Sequence, residues 1–343
     1  MRQVVLQAPG PYSALQPEIV IYKPAKLEKN HARIRVAACA VAYRDIIDRN
    51  GGFPFMNRPT VLGHEFAGVV DAVGEGSTLK PGDKVVSLHW AQFGGDAFPS
   101  PFTHKDAMKT FLGLTCNGGY AEYVTTHETA FVAVPNAENW SAVYASPVMS
   151  TFGTVWQGAV VRGKLTRGES VLVTGAAGGV GGAAVAMAAR LGCHVIGATG
   201  SVNAKGAYIK SLGCDEIVDS SPGFSKKVKP VDMVIECVGA PTFNDSLRSL
   251  KPGGRLVLIG NVTNASVQLP LGLCIVKSLN IIGTDSIEAD ELRKLFVWLE
   301  EEGLRPVVDR ILSLEEVGAA HQLLEERQVS GRIVLDVNKK LWK

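Results

Sequence analysis

Ser170-Val171-Leu172-Val173-Thr174-Gly175-Ala176-Ala177-Gly178-Gly179-Val180-Gly181-Gly182 is the stretch that decides the fold. Residues 171–174 have the length and β-branching of a buried strand. Gly175, Gly178, Gly179 and Gly181 then break the run where a tight turn can bring amide N–H groups close to a bulky group. Residues 180–191 are small and apolar, as a helix packed closely on a sheet requires. Strand, glycine turn and helix start together make an anion site: unpaired amides and the positive end of the helix dipole face a pyrophosphate. Ala176 occupies the position where a strict G-x-G-x-x-G pattern has its first glycine, so the surrounding elements must support the reading. They do. Further strand patterns fall at 193–199, 216–219, 231–237, 255–260 and 279–284, with helical stretches at 205–212 and 242–250. That alternation predicts an α/β domain with a doubly wound parallel sheet, the Rossmann arrangement.

Upstream the texture changes. Short strand patterns at 31–38, 66–73, 84–88, 120–125 and 131–134 are separated by turns such as Leu79-Lys80-Pro81-Gly82-Asp83, which predicts a β-barrel-like domain. Residues 141–162 read as helical and lead into the nucleotide domain. The tail holds an amphipathic helix at 289–302 and a strand at 332–337 that is expected to return to the first domain. The expected division is a discontinuous domain of residues 1–145 and 285–343, and a nucleotide-binding domain of residues 146–284. The stretch 89–118 is a long aromatic-rich lobe containing Trp90, Phe93, Phe98, Phe102, His104 and Phe111. It is expected either to face substrate or to pack on itself.

At 343 residues the chain can bury two cores. It is 46% hydrophobic and 20% charged with a net charge of +2, which argues against nucleic-acid or membrane-surface partners. No apolar run approaches the 18 or so residues of a membrane span. Six scattered cysteines without a C-x-x-C pair, and an N-terminus that enters a strand directly, lead to the expectation of a cytoplasmic protein.

Several motifs, in order, resemble the medium-chain dehydrogenase/reductases: Gly63-His64-Glu65-Phe66-Ala67-Gly68, Pro81-Gly82-Asp83-Lys84-Val85, Gly119-Tyr120-Ala121-Glu122-Tyr123, the glycine turn, Val238-Gly239, Lys251-Pro252-Gly253-Gly254 and Gly331-Arg332-Ile333-Val334. The resemblance implies a GroES-like β-barrel domain plus a Rossmann domain, with the active site in the cleft between them. In zinc-dependent members it also implies three zinc ligands, which fall here on Ala42, His64 and Ser150. Alanine offers no lone pair and serine is a poor ligand, whereas a catalytic zinc needs three protein ligands and an open position. Arg44 replaces the hydroxyl residue that relays the alcohol proton, and the lobe that would hold structural zinc offers only Cys116. Both zinc sites are therefore expected to be absent. Asp45 and Glu65 leave a different metal site as an alternative. The run 42–51 is closer to the zinc-free quinone oxidoreductases, although Ala42 stands where they often have asparagine.

An NAD-specific site places an acid at the end of the second strand to bind the ribose hydroxyls. Here that end is Gly197-Ala198-Thr199-Gly200-Ser201, with no acid before Asp215, and Lys205 follows where zinc-free relatives position a phosphate-binding lysine. NADPH is therefore expected over NADH. The expected cofactor contacts are Gly175, Gly178, Gly179, Val180 and Gly181 on the turn, Thr199, Gly200, Ser201 and Lys205 beyond the second strand, and Val238 and Gly260. Without a Lewis acid, alcohol oxidation lacks alkoxide stabilisation, whereas reducing a quinone or an α,β-unsaturated carbonyl needs only hydrogen-bond donors at the developing oxyanion. Tyr43 is the expected donor, with His64 next. The alternatives are an alcohol dehydrogenase with a non-standard metal and a non-catalytic NADPH-binding protein. Residues 269–282 resemble the segment through which such domains pair, which implies a homodimer.

Overall fold

The computed structural model describes residues 1–93, 102 and 106–343. Phe98 and His104 of the aromatic lobe lie outside the described residues. The chain divides into two compact units, Met1–Met149 with Ser286–Lys343, and Ser150–Asp285.

The second unit is a six-stranded parallel sheet. Its order is Glu216–Asp219, His194–Thr199, Ser170–Thr174, Val231–Glu236, Leu250–Leu258 and Asn280–Gly283. Numbered along the chain this is 3-2-1-4-5-6, so the order reverses between Ser170–Thr174 and Val231–Glu236. A nucleotide binds at the carboxyl ends of the strands flanking such a reversal. The helix Gly179–Arg190 packs closely because its buried positions are glycine, alanine, valine and methionine. A second cluster gathers Leu172, Ile196, Phe224, Val234, Phe243 and Leu256 on a common core.

Two expectations need correction. The fifth strand begins at Leu250, not at Arg255, because Lys251-Pro252-Gly253-Gly254 forms a bulge within it. Pairing jumps from Leu250 to Arg255 while the neighbouring strand advances only from Val231 to Met233. Pro252 has no N–H for the ladder, and Gly253 takes φ +76°, so the excess residues loop out. The 141–162 segment is not one regular helix. It holds Ala142–Ala145, then wide π-type turns at Met149–Gly153 and Trp156–Arg162. Pro147 removes a backbone donor and collides with the preceding turn, which ends the first helix.

The first unit is built on the sheet Val308–Ser313, Arg332–Asp336, His31–Val41, Glu65–Val73, Lys84–Ser87 and Phe131–Ala133, with Tyr123–His127 also pairing to His31–Val41. Arg332–Asp336 runs antiparallel to His31–Val41. Val308–Ser313 lies parallel to Arg332–Asp336, with the helix Val317–Glu325 crossing over between them. Neither of those elements was apparent from periodicity. The core includes Ile34, Val36, Phe66, Trp90, Leu112, Tyr120 and Ile333. In the described part of the aromatic lobe, Trp90 and Phe111 are buried and stack with centroids 5.1 Å apart, while Phe102 is exposed. No helix among the described residues is long and apolar enough to cross a membrane.

Candidate active site

In the second unit the nucleotide turn is shaped by what a side chain would strike. Gly175 takes φ +60°, a conformation that favours glycine. A Cβ on Gly181 would stand 2.1 Å from the Gly175 carbonyl oxygen. Gly178 caps the helix with extended backbone, leaving the first-turn amides of Gly179, Val180 and Gly181 without intrahelical acceptors. Their unpaired N–H groups stand at the positive end of the helix dipole.

Val238 and Gly260 are brought to the same strand ends. A Cβ on Gly175 would meet Val238 Cγ2 at 3.1 Å, and one on Gly260 would meet the Cys237 carbonyl oxygen at 2.0 Å. Beside them, Thr199 is buried at the end of the second strand, and its Oγ1 accepts the Ser201 N–H at 3.3 Å. Gly200 and Ser201 are exposed, and Lys205 sits half-buried in the first turn of the helix Val202–Ser211. Asp219, on the adjacent strand, has its carboxylate engaged by the Ser221 N–H and hydroxyl at 2.8 and 2.6 Å.

Sequence reasoning missed Glu236, the residue that holds this region together. Its buried carboxyl accepts four hydrogen bonds at Oε1: from Thr174 Oγ1 and Thr242 Oγ1 at 2.7 Å, and from the Val238 and Gly239 N–H groups at 2.9 Å. Ser246 Oγ donates to Oε2 at 2.5 Å. The available signal was an acid ending an apolar strand directly before Cys-Val-Gly.

In the first unit, Tyr43 opens the helix Tyr43–Arg49. It is half-buried, and its hydroxyl has no hydrogen-bond partner among the described residues. Two residues on, Asp45 is fully buried. Its Oδ2 accepts the Ala42 N–H at 2.8 Å, and its Oδ1 lies 3.0 Å from His64 Nδ1. Burial works to raise the Asp45 pKa, but the His64 ring and the Ala42 N–H outweigh it and hold the group at about 2. Burial drives His64 the other way, to about 3, despite the attraction of Asp45. At neutral pH the pair is therefore a carboxylate and a neutral imidazole, with the N–H on Nδ1 and the lone pair on Nε2. His64 thus presents an acceptor.

Nearby, Asp48 is pushed up to about 7 by burial, although the Arg44 guanidinium 3.2 Å away opposes the shift. Arg44 also lies 4.6 Å from the Phe111 ring centroid. Asp45, Asp48 and His64 are the one set of three adjacent His, Cys, Asp or Glu ligand atoms among the described residues. The set contains no thiolate, Asp45 already binds His64, and Asp48 already pairs with a cation. Ala42 offers no side-chain donor, and the Cys39 thiol donates to the Glu65 carbonyl at 3.3 Å. These residues do not fit a catalytic zinc.

The alcohol dehydrogenase GroES-like domain profile matches residues 28–136, and the zinc-binding dehydrogenase profile matches residues 179–301. Acryloyl-coenzyme A reductase of Metallosphaera sedula is 35% identical over 314 residues, covering 88% of this chain and 91% of the relative. The chain belongs to the medium-chain dehydrogenase/reductases. A second family member, acryloyl-coenzyme A reductase of Sulfurisphaera tokodaii, is 34% identical across 98% of this chain and 99% of its own length. Among solved family structures, an NAD-dependent alcohol dehydrogenase superposes with a TM-score of 0.86 at 32% identity, covering 98% of this chain and 100% of the other. The GroES-like and Rossmann fold expected from the sequence is the family's fold, and the protein is a nicotinamide-dependent oxidoreductase.

Proposed function

We propose that this dehydrogenase/reductase uses NADPH, without zinc, to reduce α,β-unsaturated carbonyl compounds, with enoyl thioesters as the substrate class. The observation that carries the reading is the donor set at His64. It has lost the thiolates that would hold a Lewis acid, so an alkoxide would have no cation to stabilise it. Reduction of a conjugated double bond avoids that demand. The two relatives named acryloyl-coenzyme A reductase support the thioester, and the absence of an acid at Thr199–Ser201 supports the cofactor phosphate.

When bound, the reduced nicotinamide supplies the hydride. The first-turn amides of Gly179, Val180 and Gly181 receive the pyrophosphate, and Lys205 with Ser201 receives the ribose phosphate. The Tyr43 hydroxyl, without a hydrogen-bond partner among the described residues, donates to the enolate oxygen as charge develops there. Solvent returns the proton to carbon. Two copies pair through residues 269–282, where Leu271, Ile275 and Val276 are 64%, 74% and 83% exposed.

The test is anaerobic NADPH oxidation across enoyl thioesters, enones, quinones and aldehydes, with metal analysis of the same preparation. Turnover is expected on the thioesters and enones, unaffected by chelator. Tyr43→Phe is expected to slow turnover about tenfold or more with NADPH affinity unchanged, as for a lost oxyanion donor. Stoichiometric zinc with chelator-sensitive aldehyde reduction would overturn the reading, as would NADPH binding without any turnover.

A further inference from the structure

The first unit carries a groove that involves neither the glycine turn nor the Asp45–His64 pair. Its floor follows from strand pairing. His31–Val41 and Tyr123–His127 run antiparallel, with His31 opposite His127 and Arg33 opposite Thr125. Alternation sends Ala32, Ile34 and Val124 into the core, so those four polar residues share the outer face. Over this face the groove opens a volume of about 800 Å³, within the range of small-molecule sites. Side chains from 22–28 and 106–110 line it as well, together with Phe93.

The charges lining the groove do not cancel. Lys109 pairs with Asp106 at 2.9 Å, and Arg33 with Asp71 at 2.6 Å. Glu28, whose side chain is 84% exposed, stands 3.8 Å from His31 Nε2. Lys23 and Lys26 line the groove with no ion pair or hydrogen bond among the described residues. Flat surfaces accompany them. Tyr22 is stacked on Tyr123 with ring centroids 4.9 Å apart and planes at 15°, and Phe93 lies 4.9 Å from the His127 ring. Unpaired ammonium groups attract phosphate, and stacked rings accept a further flat ring. We infer that this groove binds a nucleotide, with Lys23 and Lys26 on its phosphates and its base continuing the Tyr22–Tyr123 stack. Two sources carry that chemistry: the nucleotide end of a coenzyme A thioester, and a free nucleoside diphosphate. Binding here is independent of the reaction proposed above, since no lining residue belongs to the glycine turn or to the Asp45–His64 pair.

The test is calorimetric titration of the full chain, first saturated with reduced nicotinamide cofactor to fill the glycine turn. Coenzyme A, ADP and inorganic pyrophosphate are then added in separate runs. One additional site per chain is expected for both nucleotides. Coenzyme A binding about tenfold or more tighter than ADP assigns the groove to the thioester's nucleotide end, and a smaller difference assigns it to a free nucleotide. Lys23→Ala combined with Lys26→Ala is expected to weaken all three ligands about tenfold or more. Tyr22→Ala is expected to weaken coenzyme A and ADP about fivefold or more and to leave pyrophosphate within about twofold. Nicotinamide-cofactor affinity should be unchanged in both variants, which reports that they are folded. A saturated wild type that binds neither nucleotide would overturn the proposal, as would nucleotide binding undiminished by the paired lysine substitutions. Equal weakening of pyrophosphate and nucleotides in Tyr22→Ala would overturn the placement of the base.

Discussion

Glu236 Oε1 and Thr174 Oγ1 meet at 2.7 Å, joining the ends of the two strands between which the parallel sheet reverses its order. Thr174 Oγ1 also accepts the Cys237 N–H at 2.9 Å, and Glu236 collects the Val238 and Gly239 amides. The glycine turn and the Val238 turn are thereby held by one buried carboxyl group. Glu236→Gln places an NH₂ group among hydroxyl and amide donors. It is expected to cost about 1.5–3 kcal/mol of stability, the range for hydrogen bonds to a charged group, and to weaken NADPH. Urea denaturation and fluorescence titration read the two effects, and an unchanged midpoint would refute the assignment.

In the proposed reading, cofactor choice depends on Lys205 and on the missing acid. Lys205→Ala should weaken NADPH about tenfold, equivalent to ~1.4 kcal/mol, and leave NADH within twofold. Ser201→Asp should favour NADH by repelling the phosphate. Fluorescence titration with both reduced cofactors checks this, and equal wild-type affinities would remove the claim.

Acid stability follows from the His64 and Asp45 shifts. Between the ordinary histidine value of 6.5 and the folded value of about 3, the unfolded chain binds a proton at His64 that the folded chain does not. His321, lowered to about 4, acts the same way, whereas Asp48, raised to about 7, takes up its proton in the folded chain first and works in the opposite direction. The two histidines against one carboxyl leave a net loss of stability as pH falls through that window. Asp45 adds a further loss below its ordinary 3.8, down to about 2. Denaturant midpoints measured against pH should decline below about 6.5, and His64→Gln should flatten the upper part of that decline. A wild-type midpoint constant down to pH ~4 would contradict it.

The strand Asn280–Gly283 pairs with Leu250–Leu258 on one edge, and its other edge is open among the described residues. Exposed Leu271, Ile275 and Val276 adjoin it in sequence. Apolar exposure beside an unpaired edge marks an interface. Ile275→Asp combined with Ile281→Lys should convert a homodimer to a monomer in sedimentation equilibrium. A wild-type protein already monomeric at micromolar concentration would refute the pairing.

The sequence by itself determined what depends on neighbouring residues: the glycine turn at 175–181, the apolar strand runs around it, and the absence of an acid after Thr199. Hydrophobic period and glycine punctuation are local signals, so they survive without coordinates. The bulge at Lys251–Gly254 was hidden because a strand and a turn compete within the same residues, and pairing with Val231–Glu236 decides between them. The Val308–Ser313 strand was equally hidden, since its role comes from a partner in Arg332–Asp336. Only the tertiary structure decided which buried polar groups meet. Tyr120 and His321 are 201 positions apart, and Arg49 and His321 are 272 apart. A hydrogen bond's direction passes through space from donor to acceptor, and no spacing along the chain records it.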